Sequence, residues 1–138
     1  MTSKIKEVLK KILPNSFISS YHYALAMLGA LTYGLPSQKL MVIGVTGTKG
    51  KTTTSEFIAK ILEGGGYKVG LISTISIKIG SYHKMNTLKM TMPGRFKLQK
   101  FLRQMVKEGC HYVVIETSSE GIKQWRHLGV NYDIAVFT

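Results

Sequence analysis

Hydrophobic positions follow two patterns along this chain, and the change comes near residue 40. Over the first 13 residues Ile5, Val8, Leu9, Ile12 and Leu13 recur at i, i+3, i+4, i+7 and i+8, while Lys4, Lys6, Lys10 and Lys11 lie largely off that stripe. This is the spacing of an amphipathic helix, with Ser3 placed to cap it and Pro14 to stop it. Phe17 to Leu35 then runs nineteen residues without Asp, Glu, Lys or Arg. Three readings compete for it: a cleaved signal peptide, a transmembrane helix, and a helical hairpin that lies on a membrane surface or packs on the domain after it. Ser19, Ser20, His22, Gly29 and three tyrosines lower its hydropathy. Spanning with the later residues in the cytosol would also leave four lysines outside, against the positive-inside rule. The hairpin is the favoured reading. Residues 1–36 are therefore expected to be helical, with peripheral membrane contact or packing on their own domain, and Gly34–Leu35–Pro36–Ser37 as a linker.

From Leu40 onward strands and helices alternate. Leu40 to Thr46 is a short apolar run of the kind that forms a buried parallel strand. Thr52 to Leu62 reads as a helix closed by Gly64, Gly65 and Gly66. Val69 to Ser73 reads as a strand, and Ile75 to Ile79 as a further strand with a turn at Gly80–Ser81. Pro93 to Glu108 has Phe101, Leu102, Met105 and Val106 on one helical face and ends at Gly109. Tyr112 to Glu116 reads as a strand, Gly121 to Leu128 as a short helix and Ile134 to Phe137 as a last strand. This alternation predicts an α/β fold over residues 40–138, a parallel sheet flanked by helices and preceded by the helical hairpin. No internal repeat or low-complexity tract interrupts it.

Composition narrows the function. The 138 residues suit one globular domain, at 44% hydrophobic and 19% charged. Nineteen Lys and Arg against seven Asp and Glu leave +12, so an anionic partner is expected. The single cysteine, Cys110, excludes a disulfide framework and a multi-cysteine zinc site, and it reads as a small packed hydrophobe. Histidines at 22, 83, 111 and 127 show no metal-ligand spacing. Trp125 suits packing at least as well as stacking on a ligand. The lysines between 78 and 107 are not interleaved with aromatics as single-strand binding would need, so no nucleic acid is expected.

The sharpest chemical signal is Thr46–Gly47–Thr48–Lys49–Gly50–Lys51–Thr52–Thr53, set between a strand and a helix. Gly47 and Gly50 allow a tight bend in which successive N–H groups converge on a phosphate, and the following helix adds its positive end. Gly47, Thr48, Lys49, Gly50, Lys51, Thr52 and Thr53 are the expected nucleotide-binding residues. Lys51 would reach the β- and γ-phosphates, and the Thr52 hydroxyl would ligate magnesium. Val45 stands where the longer Walker pattern has its first glycine, so this is the short G-x-x-G-K-T form. Glu116, at the carboxyl end of a buried strand, is the candidate magnesium carboxylate. ATP with Mg2+ points to phosphoryl transfer, with Lys51 and Glu116 as the expected catalytic pair.

These motifs resemble the central domain of the Mur ligase family. The residues that carry the resemblance are Val42 to Thr54 with the phosphate loop, Val69 to Ile75, Glu116–Thr117–Ser118–Ser119, and Asp133 to Thr138. It implies a cytoplasmic, ATP-dependent amide ligase of peptidoglycan precursor synthesis, which membrane contact through residues 1–36 would bring to the inner face of the membrane. ATP would activate a substrate carboxylate as an acyl phosphate for attack by an amino acid. The resemblance implies phosphate and magnesium roles for Lys51, Thr52 and Glu116. It implies contacts to a UDP-muramoyl peptide from Thr91, Pro93, Ser119 and Arg126. Met92 replaces the family's middle threonine, and Glu120 replaces a histidine. The resemblance also implies the N-terminal portion of a longer ligase, lacking the usual first domain and not completing a ligation alone. The competing reading is a nucleotide-binding module or subunit without ligase chemistry.

Overall fold

The computed structural model describes residues 15–88 and 90–138, so the amphipathic helix expected before Pro14 lies outside them. Four short strands, apolar in sequence, form the parallel heart of the sheet: β1 (Met41–Thr46), β2 (Val69–Ile72), β5 (Tyr112–Glu116) and β6 (Ile134–Phe137). β1 pairs with both β5 and β6, which places the phosphate loop on an interior strand, one in from the sheet's edge. Between β2 and β5 come β3 (Ser76–Ile79) and β4 (Tyr82–Met85), which extend the sheet to six strands in the order β4-β3-β2-β5-β1-β6.

The parallel expectation holds for those four strands and not for the pairings of β3 and β4, since β3 is antiparallel to β2 and β4 antiparallel to β3. Only three residues separate β2 from β3, and a parallel connection needs a crossover of a dozen or more. The same hairpin supplies β4, a strand on which the sequence is silent because Tyr82–Met85 is exposed throughout and carries no apolar alternation.

Helices cover both faces. α2 (Lys51–Gly64) packs Ala59 over Ile43, Val45, Leu71 and Val114. α3 (Arg95–Lys107) packs Leu98, Leu102 and Met105 over Val42, Ile72, Val113 and Ile115. Each such fully buried aliphatic side chain contributes about 1.5–3 kcal/mol. The charge-free segment forms α1 (Asn15–Thr32), which lies against α3: Gly29 faces Phe96, while buried Ala26 and Ala30 abut Gly129. Among the described residues no helix is long and apolar enough to cross a membrane. α1 is left with Tyr21, Tyr23, Leu28 and Leu31 exposed.

The helix expected over 121–128 is instead α4 (Ser119–Lys123). It starts early because the Ser118 hydroxyl caps it, accepting the Gly121 N–H at 3.1 Å. It stops early because Trp125 adopts φ +58°, and a chain of turns carries on to Gly129.

Candidate active site

The loop from Gly47 to Gly50 takes its shape from two residues in the left-handed region, with φ +141° at Gly47 and +78° at Gly50. A side chain at Gly47 would collide with the Thr138 carbonyl. Thr138 closes the loop from β6, its N–H donating to Thr46 O at 2.9 Å and its hydroxyl to Lys49 O at 2.6 Å. Gly50 is the N-cap of α2 and provides no side-chain cap, so the first turn of the helix faces the bend. Lys51 curls back, its Nζ donating to Gly47 O at 3.0 Å. Thr48, Lys49 and Thr53 are exposed at the rim. A glycine-lined bend, a bare helix N-terminus and two lysines suit a polyphosphate.

Glu116 sits at the end of β5, 2% exposed, in the strand beside β1. The Thr52 hydroxyl donates to its Oε2 at 3.0 Å, and the Thr74 N–H donates to the same oxygen at 2.8 Å. A carboxylate and a hydroxyl this close form an all-oxygen pair of the kind a hard divalent cation takes. The chemistry of the pair therefore fits magnesium.

Of Thr91, Pro93, Ser119 and Arg126, the structure ties Thr91 to the residues around Glu116 and Arg126 to the segment that carries Thr91. The Thr74 hydroxyl donates to Thr91 Oγ1 at 3.0 Å, so one residue touches both Glu116 and the segment from 86 to 93. Arg126 reaches that segment too, its Nη1 donating to Met92 O at 2.6 Å, and its Nε and Nη2 grip Gln124 Oε1 at 3.1 and 2.6 Å. Met92 is fully buried and fills the space that a side chain at Gly121 would need. Arg95 joins the group by donating to Gln124 O. Burial first, then the nearby Arg126 charge, holds its guanidinium below the usual arginine range. Ser119 opens α4 beside the capping Ser118, and Pro93 is buried in the turn before α3.

Several residues here were silent in the sequence. Thr74 and Glu56 are two. Glu56 lies one helical turn beyond Thr52, a spacing that puts both on one face of α2. Asn86 is a third: its amide donates to Ser73 O at 2.7 Å and Met90 O at 3.2 Å, tying the β2–β3 loop to the 86–93 segment. Tyr132 is a fourth. Its ring lies on Gly44, where a Cβ would meet it at 2.7 Å, and its hydroxyl is 3.2 Å from Thr117 Oγ1. Burial pushes the phenol up to about 12. Cys110 is buried with its thiol raised by burial, and Trp125 stacks on His127, whose imidazole burial lowers. Among the described residues no three His, Cys, Asp or Glu side chains cluster to hold a metal.

Comparison with known proteins gives concordant results. A family model described as the Mur ligase middle domain matches residues 45–138. A UDP-N-acetylmuramoyl-L-alanyl-D-glutamate–2,6-diaminopimelate ligase from Geobacillus kaustophilus is 44% identical over 127 residues, covering 91% of this chain and 25% of the relative. A UDP-N-acetylmuramyl-tripeptide synthetase from Roseiflexus is 43% identical over 117 residues, covering 83% and 23%. A solved structure of a UDP-N-acetylmuramoyl-L-alanyl-D-glutamate–2,6-diaminopimelate ligase superposes with a TM-score of 0.64 at 32% identity, over 71% of this chain and 19% of that one. This chain thus spans about a quarter of the length of the curated relatives it matches. A 127-residue alignment cannot fit between residues 41 and 138, so the similarity enters the first forty residues, beyond the stretch the motifs delimit.

Proposed function

The chain belongs to the Mur ligase family, and on that premise we propose that it holds the nucleotide for an ATP-dependent carbon–nitrogen ligation in peptidoglycan precursor synthesis. The observation that carries the reading is the junction of the phosphate loop with Glu116. A glycine bend and a bare helix N-terminus lie on β1, and a buried carboxylate on the next strand reaches the Thr52 hydroxyl at 3.0 Å. The Geobacillus and Roseiflexus relatives are a ligase and a synthetase, which supports ligation over a nucleotide-binding module without chemistry.

In this reading the backbone of 47–50 and the N–H groups opening α2 bind the ATP phosphates. Lys51 exchanges its bond to Gly47 O for the β- and γ-phosphates and neutralises charge as the γ-phosphoryl group moves to a substrate carboxylate. Thr52 and Glu116 hold magnesium, which when bound screens the phosphate charges. Arg126, already oriented by Gln124 and Met92 O, presents a planar fork to an anionic group of a UDP-muramoyl peptide, with Thr91, Pro93 and Ser119 beside it. The β–γ bond breaks and ADP leaves; an amino acid's amine then attacks the acyl carbon, releases a proton and expels inorganic phosphate as the amide bond closes. The substrate identities and these residue roles are part of the proposal.

Calorimetric titration of the chain with Mg-ATP, alongside Lys51→Ala, tests it. The expected result is saturable binding weakened at least about tenfold by loss of the charge-assisted phosphate contact. Undiminished binding by Lys51→Ala would overturn the assignment of the loop.

A further inference from the structure

We propose that Glu56 is a positioning residue for the magnesium pair, acting through the turn that joins β2 to β3. The proposal rests on the nucleotide-site reading and assigns this chain's own support for it. Glu56 projects from α2, and its Oε1 accepts the Ser76 hydroxyl at 2.5 Å, with the Ser73 hydroxyl 3.5 Å away. Ser73 and Ser76 are themselves buried, and they close the turn by four further contacts, one of them the Ser73 hydroxyl to Ser76 O at 3.2 Å. The Ser73 N–H donates to Ser76 O at 2.9 Å, the Ser76 N–H donates to Ser73 Oγ at 3.0 Å, and the two hydroxyl oxygens are 3.2 Å apart. Thr74, inside this turn, donates its N–H to Glu116 Oε2 at 2.8 Å. An unbroken series therefore runs from Glu56 through Ser76 and the turn to the Thr74 N–H and Glu116, which in turn meets Thr52.

Both ends of this series start from α2, with Thr52 and Glu56 one helical turn apart. Glu56 thus ties the β2–β3 turn to the helix that carries the phosphate loop, and the turn orients the Glu116 carboxylate toward Thr52. A short hydrogen bond from a neutral hydroxyl to a carboxylate is charge-assisted, and it is among the stronger contacts available to a partly buried loop. Glu63 on the same helix serves a different end, pairing with Lys78 of β3. It offers a charge-matched control.

The test measures ATP binding to the 138-residue chain at increasing Mg2+, and again in EDTA. Partners that orient a metal ligand typically change metal affinity 10- to 100-fold when removed. Glu56→Ala and Ser76→Ala are each expected to raise the Mg2+ needed for half-maximal binding by about tenfold and to leave metal-free ATP binding unchanged. Glu56→Gln, which keeps an acceptor oxygen for Ser76, is expected to stay within about threefold of the unaltered chain. Glu63→Gln is expected to match it. If circular dichroism shows Glu56→Ala unfolded, the milder Ser76→Ala carries the result. An unchanged Mg2+ requirement in both alanine variants overturns the proposal. So does an equal loss of ATP affinity with and without metal, which would place Glu56 behind the phosphate loop instead. If the unaltered chain binds no Mg-ATP, the nucleotide-site reading itself fails and takes this inference with it.

Discussion

Gly47 and Thr138 are pressed together at the mouth of the phosphate loop: the Thr138 backbone stands where a Cβ on Gly47 would be, and Gly47 holds φ +141°. Gly47→Ala therefore meets two obstacles at once, strained backbone and a clash with main-chain atoms that have no rotamer to give way. The expected cost is about 2 kcal/mol or more in thermal unfolding, with loss of Mg-ATP binding. Gly64→Ala is the matched control. Gly64 ends α2 with nothing near its absent Cβ, so this change is expected to be neutral or stabilising by up to about 1 kcal/mol.

Glu116→Gln removes charge and keeps shape. The amide oxygen still accepts the Thr74 N–H, so the turn stays in place while the all-oxygen anionic pair with Thr52 is lost. ATP binding in EDTA is expected to be unchanged, and the gain in affinity on adding Mg2+ is expected to fall at least about tenfold. Titration calorimetry with and without metal measures both. A full magnesium response in this variant would remove Glu116 from the metal site.

Tyr132 gives an alkaline signature. Burial holds its phenol at about 12, against about 10 when unfolded. Below pH 10 the hydroxyl is protonated in both states and costs nothing. Between pH 10 and 12 the unfolded chain releases its proton first, so stability falls as pH rises. The full difference is about 2–3 kcal/mol. Tyr132→Phe is expected to flatten that part of the curve relative to the unaltered chain in urea unfolding at pH 9 to 11.5. Parallel curves for the two proteins would contradict it.

α1 rests on small residues. Ala30 is fully buried beside Gly129, so Ala30→Leu overfills the seam and is expected to cost about 1–3 kcal/mol. Leu28→Ala, on the exposed side, is expected to stay within about 0.5 kcal/mol. Equal melting temperatures for the two variants would mean that α1 is not packed on the domain.

The order of elements and the phosphate loop were legible because each rests on local signals. Buried strands read as apolar runs, and Gly47, Gly50, Lys51 and Thr52 sit at fixed spacing. Glu116 could be placed because a strand's carboxyl end is where ligands of a parallel sheet gather. Of the antiparallel hairpin only β3 and its turn were legible, since β4 has no buried face to leave a pattern. Nor was the early start of α4, where one serine hydroxyl outweighed the apolar spacing of the later residues. The contacts of Thr74 and Glu56 were not legible for a different reason. Their partners lie 42 and 20 residues away in sequence, and only the pairing of β2 with β5 and the packing of α2 bring them together.

The positions of the metal and the nucleotide are open to direct measurement. Amide NMR spectra of the chain, taken with ATP and trace Mn2+ in place of Mg2+, locate the paramagnetic ion by the signals it broadens. The expected result is loss of signal centred on Thr52, Glu116 and Thr74, with shifts through residues 47–53. Broadening centred elsewhere, such as the open cleft between Lys84 and Lys107, would contradict the assignment of the site.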